Sequence, residues 1–136
     1  MRILVPALLL LILFEGCGSG DTSTITFRVT VPPALTENGV FITGNDPSMG
    51  DWDPGRIKLE RISDSVWAKS FTFLKGQELE FKFTGGNWLL EAADSTGRIR
   101  DNLTHRVSGD STLQFSIPAW FNNYASDTLV ITGKSV

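Results

Sequence analysis

A chain of 136 residues with 41% hydrophobic and 20% charged side chains is long enough for one packed domain and too apolar for wholesale disorder. Its formal net charge is −3, with no Lys/Arg cluster, which argues against nucleic acid or an anionic membrane surface as the main partner. With one cysteine, no disulfide forms within the chain.

Met1 and Arg2 give a short positive start, and Ile3 to Phe14 is an apolar run broken only by Pro6. Crossing a bilayer takes roughly 20 apolar residues, so this run reads as the core of a signal peptide rather than a membrane span. Phe14-Glu15-Gly16-Cys17 is similar to the lipobox of bacterial lipoprotein signals: Gly16 and Cys17 match, and Glu15 departs from the usual small or aliphatic residue. The expectation is an exported chain whose residues 1–17 end at a lipidated Cys17, placing it at the outer membrane or in the periplasm. Ordinary secretion with cleavage nearby is the alternative. Residues 18–23 (GSGDTS) have the composition of a flexible tether. The folded domain is expected over residues 24–120.

Thr24 to Val31 alternates Ile25, Phe27, Val29 and Val31 with Thr and Arg, the period-two pattern of a half-buried strand, and Pro32-Pro33 ends it. Asn38-Gly39 turns into a second strand, Val40 to Thr43. A third is expected over Ile57 to Ile62, a fourth over Val66 to Phe73, and the clearest over Leu79 to Thr84. Leu103 to Val107 and Leu113 to Ile117 follow. Beyond Pro118, residues 121–136 read as a tail or one further edge strand, with Thr128 to Thr132 (TLVIT) as the strand-like part. No stretch carries a sustained 3.6-residue apolar period. Seven to eight short strands at roughly ten-residue spacing predict an all-β fold, an antiparallel immunoglobulin-like β-sandwich.

Little in the chain suits catalysis. His105 stands alone inside a predicted strand, and there is no nucleophile elbow, phosphate loop or zinc-ligand spacing. Asp46, Asp51 and Asp53 lack calcium-loop spacing and read as turn formers. A non-enzyme without metal or cofactor is expected. Binding fits better. Trp52 sits in a turn-rich loop (GNDPSMGDWDP), and Trp88 follows Gly85-Gly86-Asn87. Loops lie at the surface because their backbone groups need water, so an indole offered there is a flat apolar platform suited to the face of a sugar ring. Trp67, in step with Phe71 and Phe73, reads as core, and Trp120 reads either way.

The order of landmarks resembles the starch-binding domains of carbohydrate-binding module family 20. Their pattern is a glycine-ended strand, L-G-x-W, a strand Trp, Y-K-F, a second loop Trp with Glu, and an Asn. Here Met49-Gly50-Asp51-Trp52 stands for the first motif, Glu80-Phe81-Lys82-Phe83 for the third, Trp88 with Glu91 for the fourth, and Asn102 for the last. The resemblance spans roughly Ile25 to Trp120, and closely similar modules stand at the N-terminus of secreted Bacteroidetes-type hydrolases. It implies α-glucan such as starch or glycogen as the partner, with a separate hydrolase as a further one. Trp52 and Trp88 would stack on adjacent glucose units, Lys82 and Asn102 would bond hydroxyls, and Glu91 would flank them. The family's second site has no support, since Phe41 lacks a hydroxyl and residues 61–65 hold no tyrosine. The other reading is a structural or protein-interaction sandwich that has lost sugar binding.

Overall fold

The computed structural model describes residues 20–121. The stretch expected to be a signal peptide, Cys17 included, and all of the expected tail but Phe121 lie outside the described residues. Two four-stranded sheets pack face to face. The first has the order β4-β5-β1-β9, from Glu60–Arg61, Val66–Leu74, Thr22–Thr30 and Ser111–Ser116. The second has the order β3-β2-β6-β8, from Ile57–Lys58, Phe41–Gly44, Glu78–Thr84 and Leu103–Arg106. A small pair, β10 (Ala119–Trp120) with β7 (Ala92–Ala93), closes one end.

The alternation in the sequence is what fills the space between the sheets. Ile25, Phe27 and Val29 of β1 and Phe71 and Phe73 of β5 face Leu79, Phe81 and Phe83 of β6, all buried. Phe27 lies at the centre: its ring meets Phe81 edge-on across the sheets at 5.0 Å and Phe71 within its own sheet at 5.6 Å. Edge-to-face pairs of this kind add to the burial of apolar area that drives the sheets together.

Three features depart from the sequence-based expectation. The predicted third strand is divided between the sheets: Ile57–Lys58 pairs with β2, whereas Glu60–Arg61 pairs with β5. Leu59, buried and donating its N–H to the Val40 carbonyl, is the crossing point. The sandwich is not wholly antiparallel, because β9 runs parallel to β1. Trp88 to Leu90 forms a 3-10 turn, an element absent from the sequence-based set of strands. Trp67 is core, as its alternation indicated.

Trp120 is resolved firmly as interior. It is 2% exposed, and its indole N–H donates to the Leu35 carbonyl at 2.8 Å. It thereby ties the segment after β9 to the 3-10 turn Pro33–Leu35 that follows β1.

Candidate functional site

The Trp52 loop leaves β2 at Gly44, which must be glycine because a Cβ there would lie 2.6 Å from the Glu80 carbonyl oxygen. The Trp52 N–H donates back to the Gly44 carbonyl at 3.1 Å. Between them, Asp46 caps the turn Pro47–Met49. Its carboxylate accepts from the Ser48 N–H and hydroxyl, and from the Gln77 amide at 2.6 Å. Partial burial raises the Asp46 pKa, but the hydrogen bonds from Ser48 and Gln77 outweigh it and hold the carboxyl below its usual value.

A folded pKa below the unfolded one means stabilisation that is present above the unfolded value, about 3.8, and lost as pH falls through the folded value. Asp46→Ala is therefore expected to cost about 1 kcal/mol at pH 7, the ordinary worth of such a cap. The part of that cost carried by ionisation should be lost as pH falls below 3.8 and on through the lower folded value. Urea midpoints of both forms, at pH 7 and along an acid series, check this, and a cost that does not vary with pH would assign it to packing instead.

The backbone then turns left-handed at three successive residues: Gly50 at φ 82°, Asp51 at 49° and Trp52 at 64°. Glycine tolerates this freely, but a bulky aromatic in that region is strained by on the order of 1–3 kcal/mol. Trp52 ends half-buried. The loop closes with the Asp53 carboxylate accepting the Gly55 N–H.

Trp88 is placed by a different device. Asn87 uses its side-chain oxygen to accept the N–H groups of Leu89 and Leu90, at 2.9 and 3.2 Å, starting the turn on which Trp88 stands. Trp88 is 43% exposed and Leu89 64%. The two tryptophan loops touch. Thr84, at the end of β6, donates its hydroxyl to the Pro54 carbonyl at 2.6 Å, and a Cβ on Gly55 would lie 2.6 Å from the Gly86 carbonyl oxygen. Phe41 packs against Gly86.

Of the polar candidates, Lys82 lies on the same strand, whereas Glu91 follows the Trp88–Leu90 turn and Asn102 stands just before β8. Lys82 precedes Thr84 by two residues on one face of β6, a step of about 7 Å. Its amine forms an ion pair with Glu91, both side chains being largely buried (17% and 12% exposed), and donates to the Arg100 carbonyl at 3.1 Å. The Asn102 amide donates to the Glu80 carboxylate at 2.6 Å. Lys82 and Glu91 line a cleft of about 420 Å³ walled by Phe83, Leu103, Phe115 and Ile117. The structure thus brings the five residues together in two neighbouring groups, the tryptophans on one seam and Lys82, Glu91 and Asn102 on an internally bonded patch. Sequence reasoning missed Thr84 and Asn87, which hold the seam and the Trp88 turn. Asn87 was legible as an Asx cap; Thr84 carried no signal, because its partner is 30 residues away.

Comparison with known proteins agrees with this architecture. The starch binding domain family model matches residues 22–96, more than half of the chain. Over 64 residues the chain is 30% identical to the amylopullulanases of Thermoanaerobacter thermohydrosulfuricus and Thermoanaerobacterium thermosulfurigenes. That stretch is 47% of this chain but only 4% and 3% of theirs. The family 15 glucoamylase of Hypocrea jecorina superposes with a TM-score of 0.57 at 18% identity, over 76% of this chain and 18% of that one. The glucoamylase of Hormoconis resinae does so at 0.54 and 14% identity, over 72% and 18%. Both likenesses concern the fold. On the family match, the chain belongs to the starch binding domains, a non-catalytic class of carbohydrate-binding module.

Proposed function

We propose that this domain binds α-glucan by stacking glucose rings on Trp52 and Trp88, with Lys82, Glu91 and Asn102 offering polar groups beside them. The observation that carries the reading is the seam at Pro54–Thr84. It joins a strained loop bearing one indole to a capped turn bearing the other. Fixed aromatic platforms bind at low entropic cost, and left-handed strain at a bulky residue is characteristic of sites where the backbone is held for function. One observation favours the second reading, a protein-interaction sandwich. The Lys82 amine and the Asn102 amide already have internal partners, which a sugar would have to share or displace.

Gel retardation separates the two. The domain should be slowed by amylose and glycogen and not by cellulose, and Trp52→Ala or Trp88→Ala should abolish the slowing while leaving the melt intact. Free migration of the native domain on every glucan would leave the interaction reading in front. The same reading extends to an exported, Cys17-lipidated chain working beside a separate hydrolase. Cys17→Ser should then move the protein from the membrane to the soluble fraction, and an unchanged distribution would remove the anchor.

A further inference from the structure

Each sheet of the sandwich has two edges, and among the described residues three of the four are blunted. β4 and β3 are two residues long and carry Glu60, Arg61 and Lys58; β8 is four residues long and carries Arg106 in an ion pair with Glu78. Short, charged edges of this kind resist pairing with another strand. β9 is the exception. It is six residues long (STLQFS), holds no charge and no proline, and among the described residues pairs only with β1.

The geometry of β9 is favourable to a further strand. The Ile117 N–H donates to the Thr30 carbonyl, towards β1. Successive residues of a strand direct their amides to opposite sides, so Thr112, Gln114 and Ser116 direct theirs outward. Beneath this edge runs the cleft of about 420 Å³, lined by Leu103 of β8 and Phe115 of β9, and among the described residues no strand seals it. An open ladder above an apolar slot is the arrangement that strand addition uses. The backbone supplies the hydrogen bonds, and the slot takes every second side chain.

We propose that the occupant is the chain's own segment Thr128–Thr132, added to the free edge of β9 with Leu129 and Ile131 directed into the cleft. Three observations favour this source. The segment alternates in the manner of a strand, Thr-Leu-Val-Ile-Thr, with two aliphatic residues on one side. The described chain ends beside the cleft, since the Phe121 N–H donates to the carbonyl of Glu91, a cleft-lining residue. The six residues from Asn122 to Asp127 reach roughly 20 Å when extended, about the length of β9 itself, so the segment can return along that edge. A strand tethered this closely outcompetes a separate one through its high effective concentration. The added strand would seal this side of the sandwich and take the aggregation-prone edge out of reach.

Amide hydrogen exchange on the full chain tests this. The Thr112, Gln114 and Ser116 amides should exchange at least tenfold more slowly than unprotected amides, independently of protein concentration. Val130→Pro and Ile131→Pro are made separately, because successive residues face opposite sides and one of the two must remove a ladder N–H. At least one should abolish that protection, while the Phe27 and Phe71 amides stay protected and show the fold intact. Three results would each overturn the proposal: unprotected amides in the native chain, protection that survives both prolines, or protection that grows with protein concentration, which would make a second copy the occupant.

Discussion

Trp120→Ala is expected to destabilise the domain by about 3–5 kcal/mol, the range for removing a large aromatic from a packed interior. Its side chain is almost wholly buried, its indole closes on the Leu35 carbonyl, and its strand is one of the two that, among the described residues, pair at that end of the sandwich. Removal leaves a cavity, an unpaired carbonyl and a loosened β10–β7 pair together. Trp120→Phe keeps most of the volume and loses the N–H, so about 1–3 kcal/mol is expected. Urea denaturation of the three forms measures both. Equal, small losses would mean that the segment after β9 is an appendage. The expected order, Ala well below Phe, makes it part of the domain.

Substitution at Trp52 should separate binding from stability. Losing a stacking indole at the centre of a site costs about 2 kcal/mol or more, roughly a 30-fold rise in Kd for a maltooligosaccharide. Both Trp52→Ala and Trp52→Gly should show that loss. Their stabilities should differ, because only glycine relieves the left-handed backbone at φ 64°. Trp52→Gly is expected to be about 1 kcal/mol more stable than Trp52→Ala, read from their urea midpoints. Were alanine the more stable of the two, the loop would carry no backbone strain at this residue, and Trp52 would not be held there against a conformational cost.

The sandwich was legible in the sequence because period-two alternation is local. Ile25-Phe27-Val29 and Leu79-Phe81-Phe83 declare both their strands and their buried faces, and the structure places all six in the core. What escaped was set by partners remote in the chain. Nothing in Ile57 to Ile62 reveals that Leu59 crosses between sheets, since the division depends on Val40 on one side and β5 on the other. Trp120 read either way for the same reason: its partner, Leu35, is 85 residues distant. Among the candidate residues, motif order singled out the two indoles and Lys82, and alternation placed Lys82 on its strand. The engagement of Lys82 by Glu91 and the Arg100 carbonyl was hidden, because it depends on how the residue 94–102 loop folds back over β6. Alternation alone puts Lys82 on the face opposite Phe81 and Phe83, yet its first contacts are internal.

The most direct measurement is a calorimetric titration of the native chain with maltoheptaose, using cellohexaose as control and the Trp52→Ala and Trp88→Ala forms in parallel. Stacking on the two indoles predicts saturable binding of the α-linked sugar by the native chain and none of the β-linked one, with both substitutions weakening it by roughly 30-fold or more. Heats indistinguishable from dilution in the native chain, or binding that survives both substitutions, would contradict it.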